Sequence, residues 1–402
     1  MTPNAAAEHK SDKATAELNA VVAFGMDGWA FLAAVLQMLG NSRSRLYKPN
    51  FQTPLPMKMF RCTLLVIASF CAMLLVGCEK KPADSADAHG ESDPSAVKDA
   101  GQEQVIAFRN NTRKAYNESR FDDLEKAATA IRAGKALTSS GGWTIVQFYD
   151  SLECADDDPA RMWELHEKIH KAWITAKPQS ITARVAYADF LVNYAWQARG
   201  SGFTNTVTER GWALMRDRLA ASLQVLKNAR NLPEKDPNWW MVSLRVALGQ
   251  GWSPADYASL LAEARAHEPK FWGYDTARAY SLLPRWHGKP GDWEVFAEQA
   301  ATRPGGLGDE TYARIVINLK GFYGNVFKET KASWPRTKSG LKLMTQRYPN
   351  SKEIVHQNAR LARLADDRGF AKEMFAKIGP EFLPGSWKNA AQFREVKQWA
   401  AQ

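Results

Sequence analysis

Cysteine is scarce in this chain. Only Cys62, Cys71, Cys78 and Cys154 occur in 402 residues. If the first two leave with a leader and Cys78 carries lipid, Cys154 has no partner and the mature chain has no internal disulfide. A long basic run is also missing. The formal net charge is +10, yet the 46 basic residues beyond Cys78 are scattered among 39 acidic ones. With no zinc-finger, RNP or basic-stripe pattern, nucleic acid is not an expected partner. Strand-like alternation bounded by turns is rare, which argues against sandwiches and barrels. The glycine-rich stretch Gly305-Gly306-Leu307-Gly308 lacks the Gly-Lys-Ser/Thr ending of a phosphate loop and reads as a link.

Tryptophan is plentiful. There are fifteen, fourteen of them between Trp143 and Trp399, enough to anchor helix–helix packing or to line a binding surface, including one that stacks on sugar rings. From Met57 the chain reads MKMFRCTLLVIASFCAMLLVGC, with Lys58 and Arg61 followed by an uncharged run from Cys62 to Cys78. This is a signal-peptide pattern. Its end, Leu75-Val76-Gly77-Cys78, resembles the bacterial lipoprotein lipobox, so Cys78 is the expected lipidation site. An uncleaved membrane helix is the competing reading, and 17 residues is at the short end of the roughly 17–25 that span a bilayer. Glu79 follows the cysteine, where Asp would be the familiar inner-membrane retention signal; the outer membrane is the expected address.

Residues 1–56 precede this signal and hold a second apolar run, Val21 to Gly40, interrupted by Asp27. They are read as an upstream extension outside the native chain, or else as an extra membrane segment. Residues 79–102, rich in Asp, Glu, Ser, Ala and Pro, cannot bury enough apolar surface to fold. As a flexible linker they would reach roughly 25–30 Å.

From residue 103 to 402 the expectation is an all-α domain. Ile181, Val185, Ala188, Val192 and Ala195 form one stripe at helical spacing, and Trp212, Met215, Leu219, Leu223 and Leu226 another. Asp158-Pro159 and Ser253-Pro254 look like caps followed by a proline at the first helical position. X-Pro steps at Pro237, Pro269, Pro304, Pro349 and Pro380 punctuate the chain at intervals of 32, 35, 45 and 31 residues. Ala359, Ala371 and Phe375 have the small-small-aromatic spacing of a tetratricopeptide-type helix pair. The intervals drift, so the fold class is an irregular tetratricopeptide-like α-solenoid.

Three stretches, Ala195–Gly202 (AWQARGSG), Val246–Trp252 (VALGQGW) and Leu282–Glu294 (LLPRWHGKPGDWE), resemble the uncharacterised bacterial family catalogued as domain of unknown function 4034, over roughly residues 120–390. The resemblance implies a helical-repeat fold and no particular activity.

Two constellations carry candidate chemistry. His166-Glu167-Lys168-Ile169-His170 matches H-E-x-x-H, in which two histidines one turn apart chelate zinc and the glutamate activates water. Lys168 and Lys171 are out of place in such a helix, and Ala176 stands where the extended motif has a third histidine. The expectation is an exposed polar helix face with no metal. The second is a possible binding loop of Trp286, His287, Asp292 and Trp293, with Arg199 as a further pocket candidate. There, His287 and Asp292 either share a proton or a ligand, or merely shape a turn and cap a helix. Cys154, beside Asp156, Asp157 and Asp158, has no cationic neighbour in sequence and is expected to be inert.

Taken together, the expected protein is an envelope lipoprotein facing the periplasm or exterior. Its helical domain would bind or scaffold a protein or peptide, without cofactor or catalysis. A zinc metallopeptidase and a glycan- or cell-wall-binding module are the alternatives. If synthesis starts at Met57 or Met59, a stop codon placed within positions 1–50 leaves expression unchanged; loss of the protein on immunoblotting would show that the upstream stretch is translated.

Overall fold

The computed structural model describes residues 95–402 apart from Phe203. The expected leader, Cys78, residues 1–56 and the linker up to residue 94 lie outside the described residues. The first helices are α1 (Ala100–Asn117), α2 (Phe121–Gly134), α3 (Thr144–Asp150), α4 (Ala160–Ala176), α5 (Ile181–Arg199) and α6 (Glu209–Ala229). Next come α7 (Pro237–Gln250), α8 (Pro254–His267), α9 (Gly273–Ser281), α10 (Asp292–Thr302) and α11 (Asp309–Leu319). The last are α12 (Val326–Glu329), α13 (Trp334–Arg347), α14 (Lys352–Leu364), α15 (Arg368–Ile378) and α16 (Ala390–Ala401). Among the described residues the only strands are β1 (Ser95–Ala96) and β2 (Glu381–Phe382), a short parallel pair. No helix among the described residues is long and apolar enough to cross a membrane.

The protein is an α-solenoid-like succession of helix pairs, and local chemistry sets its boundaries. Ser180, Thr208, Asp236, Ser253, Ser333, Ser351, Asp367 and Asn389 each accept a backbone N–H from the first turn of the helix that follows. A cap of this kind is worth about 1 kcal/mol. At Ser253 the hydroxyl also donates to Asp256 Oδ2 over 2.6 Å, a side-chain variant of the capping box. Asp158 departs from expectation: its carboxylate accepts from Ala155 N at 2.8 Å, closing the preceding turn, and the residue flanking α4 is Pro159, with no side-chain cap.

Both expected apolar stripes face inward. Ile181, Val185, Ala188, Val192 and Ala195 of α5 are buried, as are Met215, Leu219 and Leu226 of α6. The two helices approach closely enough for Ser222 Oγ to donate to Ala188 O at 2.8 Å. Ala359, Ala371 and Phe375 are buried where α14 packs on α15. A Cβ at Gly340 would lie 2.0 Å from Asp309 O, so α13 meets α11 through a position that admits only hydrogen. Apolar cores follow in chain order, the first spanning Ala115–Tyr274, the next Ala279–Ala332 and the last Ala313–Ala400, as expected for stacked repeats.

Two corrections concern the ends of the domain and α4. Residues before 103 already belong to the helical body. Val97 N donates to Phe382 O at 2.9 Å, and Asp99 caps α1 through Gly101 N and Gln102 N while its other oxygen accepts from Glu353 N at the start of α14. The last eight residues of the expected linker are therefore tied to the C-terminal helices. The start of α9 and α11 also grip the turn between α2 and α3: Trp272 Nε1 donates to Gly141 O at 3.0 Å and Arg314 Nη2 to Ser140 O at 3.1 Å. Early and late helix pairs thus meet. In α4 the expected solvent-facing surface is wrong for the histidines. Trp163, His166, His170 and Trp173, spaced three, four and three, form the buried stripe, and the exposed lysines Lys168 and Lys171 occupy the other side.

Gly141 marks the closure most sharply. Its φ is +77°, and a Cβ there would lie 2.2 Å from the Tyr348 ring and 2.5 Å from Arg314 Nη2. Gly141→Ala should cost about 2–4 kcal/mol from backbone strain and overpacking, read as a lower urea midpoint. Gly134→Ala, with nothing within 4 Å of the added carbon, should be neutral or gain up to about 1 kcal/mol. Equal midpoints for the two variants would show that the turn is not clamped.

Candidate functional site

The H-E-x-x-H residues do not assemble a metal seat. His166 Nε2 lies 3.5 Å from Arg113 Nη1, placing a fixed positive charge where a zinc ion would sit. The guanidinium also bonds Glu153 O. The rings of His166 and His170 pack on Tyr116 at 5.2 and 5.1 Å, and His170 also meets Phe190 at 5.1 Å. Glu167 turns outward to Lys171 Nζ, 2.7 Å away, and receives the Tyr187 hydroxyl at 3.3 Å. Among the described residues no group of three or more His, Cys, Asp or Glu could hold a metal. Burial, reinforced by Arg113, pushes the His166 pKa down to about 3. Burial and His166 together push His170 well below its ordinary value. Both are neutral aromatic spacers in a core. Cys154 is buried beside them as a free thiol. Burial and Asp158 raise its pKa despite nearby Arg113, which leaves no thiolate for chemistry.

The second constellation is partly brought together. Arg199 sits at the end of α5 with its guanidinium carbon 5.7, 5.4 and 6.0 Å from the ring centroids of Trp196, Trp212 and Trp286. Its N–H groups donate to Gly200 O and Gly202 O. Trp196 and Trp286 meet edge to face at 5.4 Å. The other loop residues go elsewhere. His287 Nε2 is 3.2 Å from Leu248 O at the end of α7. Asp292 accepts from Lys289 N at 2.8 Å, closing its own turn, and does not meet His287. Trp293 is buried, with its indole N–H on Tyr323 Oη at 3.0 Å.

Around Arg199 and Trp286 the structure adds residues that the sequence reading passed over. Arg285 is exposed, 5.4 Å from the Trp286 centroid and 5.5 Å from that of Phe322. Tyr280 bridges Trp286 and Phe322 at 5.7 and 5.5 Å. Burial raises the Tyr280 pKa while Arg285, Arg199 and Arg245 oppose the rise. Burial lowers the Arg199 pKa, and the charge of Arg285 lowers it further. Along α5, Asp189, Asn193 and Trp196 follow one another at spacings of four and three. Arg245 of α7 reaches Asp189 and Asn193, and Asn193 Nδ2 donates to Glu153 Oε1 at 2.7 Å. Burial and the neighbouring Asp150 and Asp189 carboxylates raise the Glu153 pKa. The spacing on α5 was a usable signal; the partner from α7 and the exposed Arg285 were not.

The result is a half-exposed aromatic and cationic cluster around Trp286, continued inward by the Arg245–Asp189 pair and by Glu153 on Asn193. Of the tryptophans among the described residues, none is fully exposed, so each ring is at least partly covered by protein. Two shallow concavities, about 360 and 380 Å³, lie elsewhere: one by Asn325, Arg363 and Glu395, the other by Arg120, Phe121 and Lys177.

Residues 109–249 match the family Domain of unknown function (DUF4034). The match covers about a third of the chain and contains α5, Arg199 and Arg245, but ends before Trp286. The chain resembles this family through that region, and the resemblance brings a helical domain without an assigned activity. No curated protein and no solved structure matches the chain.

The buried histidines generate a pH prediction. Burial also holds His356 down to about 4, with Nδ1 accepting from Trp387 Nε1 at 2.9 Å. An unfolded histidine titrates near 6.5. Above that value both states are neutral; below it the unfolded chain takes up protons that the folded one refuses. Stability contributed by His166, His170 and His356 is therefore complete above about pH 7. It falls by about 1.4 kcal/mol per pH unit for each histidine as pH drops below 6.5. Glu153 and Asp189, whose pKa values are raised, tilt stability the opposite way as pH rises above the ordinary carboxylate range. Comparing variants isolates one group. Neither ring nitrogen of His170 has a partner, so His170→Phe should keep or raise stability at pH 7 and flatten the fall between pH 6.5 and 4. His170→Ala should cost about 2–4 kcal/mol at any pH through its cavity. Denaturation curves with the same pH slope for His170→Phe and the parent would refute the burial-driven shift.

Proposed function

We propose that this protein is an envelope lipoprotein, anchored at Cys78, whose helical domain holds a protein or peptide partner without catalysing a reaction. The observation that carries the binding part is the half-exposed cluster of Arg199, Trp196, Trp212, Tyr280, Arg285 and Trp286. Arginine, tryptophan and tyrosine are the residues that dominate interface energetics, and here three helices and one loop bring them together on a braced scaffold. An aromatic patch whose rings already pack on one another suits a macromolecular surface better than a small molecule, which needs a concave seat. The anchoring part is supported by the Leu75–Cys78 pattern, and the outer membrane by Glu79.

A specific experiment tests each part. Cys78→Ser should abolish acylation and leader cleavage, and intact-mass analysis finding unmodified Cys78 still joined to Gly77 in membranes would end the lipoprotein reading. For binding, a photo-crosslinking amino acid at Pro284, exposed beside the patch, should give discrete adducts in intact cells. The same probe at exposed Lys168 on α4 should not. Adducts of equal yield from both positions would count against a dedicated surface.

A further inference from the structure

His166, His170 and His356 are all buried, but their surroundings differ. Near His356 stand the carboxylates of Glu381 and Asp99 as well as the cation of Lys352. Around His166 and His170 the neighbouring elements bring a cation, aromatic rings and carboxylates engaged elsewhere. Arg113 of α1 lies 3.5 Å from His166 Nε2, and Tyr116 packs on both rings. Tyr187 and Phe190 of α5 meet His170. Arg218 of α6 lies over Tyr194 and donates to its carbonyl at 2.6 Å. In the loop before α4, Cys154 is a buried thiol, Glu153 accepts from Asn193 and Asp158 from Ala155 N. On α4 itself Glu167 pairs with Lys171. The Leu152 backbone favours a charged His166, against burial and Arg113. A proton on either ring would therefore join the Arg113 charge inside an apolar pocket.

Packing is uneven along α4. Its start has no side-chain cap. Trp163, near that start, packs with Cys154, Phe190 and Leu191 in a small core apart from the main one. Its end is held: Trp173 stacks on Phe121, donates to Glu125 Oε1 at 2.8 Å and belongs to the main core. We propose that the loop from Glu153 to Pro159 and the first half of α4 form an acid-released latch, which leaves α1 and α5 on acidification while the later helices stay packed. Such sub-global opening follows where buried contacts are few, and it bares Cys154 and Trp163 to solvent. The proton balance sets its steepness. On release His166 and His170 each take up a proton near pH 6.5, which the packed state refuses. Glu153, whose pKa the fold raises, holds a proton when packed and gives it up when released, so it opposes opening as pH falls. Two protons taken up against one given up amount to about tenfold in opening between pH 6.5 and 5.

The test exposes the full chain in detergent micelles to methyl methanethiosulfonate. The rate of Cys154 modification, read by peptide mass spectrometry, is divided by the rate for the same chain in urea at the same pH. This ratio should rise about tenfold from pH 6.5 to 5. His170→Phe should leave it flat, since the remaining histidine then balances Glu153. Glu153→Gln removes the opposing proton and should steepen the rise to roughly a few hundredfold. Over the same range hydrogen exchange, corrected for its intrinsic pH dependence, should lose protection in the first half of α4 and keep it in α14 and α15. A flat ratio in the parent, or an undiminished rise in His170→Phe, overturns the latch. So does an equal loss of protection in α14 and α15, which would mean that acid unfolds the domain as a whole.

Discussion

The side chain of Glu310 is fully buried, and the meeting of the domain's two halves depends on what surrounds it. Its carboxylate accepts from Arg314 Nε at 2.8 Å, from Arg347 and from the Tyr348 hydroxyl at 3.2 Å. Thus oriented, Arg314 lies 4.5 Å from the Trp272 centroid and donates to Ser140 O. Removing one partner of a buried ion pair costs about 3–5 kcal/mol, because the other charge is left without compensation. An open solenoid has no such centre, since each repeat touches only its neighbours and the terminal ones need caps. Here the early turn at Ser140–Gly141, the Asp99 carboxylate and β1 are seated on late helices, so the two ends cap each other.

Much of the repeat architecture was legible in the sequence because it is local. Side chains three and four apart share a helix face, and the stripes on α5 and α6 obey that geometry. Caps such as Ser253 and X-Pro steps act within one turn of where they stand. The closure was not legible. Its hydrogen bonds join residues 131, 174 and 254 positions apart, and two of the three acceptors are the carbonyls of Gly141 and Ser140, which no side-chain pattern announces. In α4 the motif drew attention away from the period. Trp163 and Trp173 already fixed the buried face, and both histidines fall on it.

The site divides along the same line. Arg199 and Trp286 were both visible as candidates, though from segments 87 residues apart with nothing to say that they meet. The stretch from Trp286 to Trp293 looked like one functional unit because its residues are contiguous. An irregular turn sends consecutive side chains in different directions, however. Trp286 packs on Trp196, His287 turns toward Leu248 O, Asp292 closes the local turn and Trp293 enters the next core. Spatial identity replaces sequence adjacency, and Arg285 and Tyr280 belong to the patch while Asp292 and Trp293 belong to the scaffold.

The charge pattern completes the physical picture. Carboxylates are not in short supply, with 39 acidic residues after Cys78 against 46 basic ones, so unpaired cations are a matter of placement and not of composition. Some arginines that penetrate the fold, among them Arg132, Arg245 and Arg265, meet an aspartate of another segment, while others, such as Arg113 and Arg218, meet backbone carbonyls. At Arg199 and Arg285 the partners are carbonyl oxygens and aromatic rings, which steady a cation without neutralising it. Such an arrangement loses stability relative to a paired one and survives only on a scaffold with stability to spare. The clamp around Glu310 joins α11, α13 and the turn before α3, so the ion pairs that close the fold are separate from the cations at the patch.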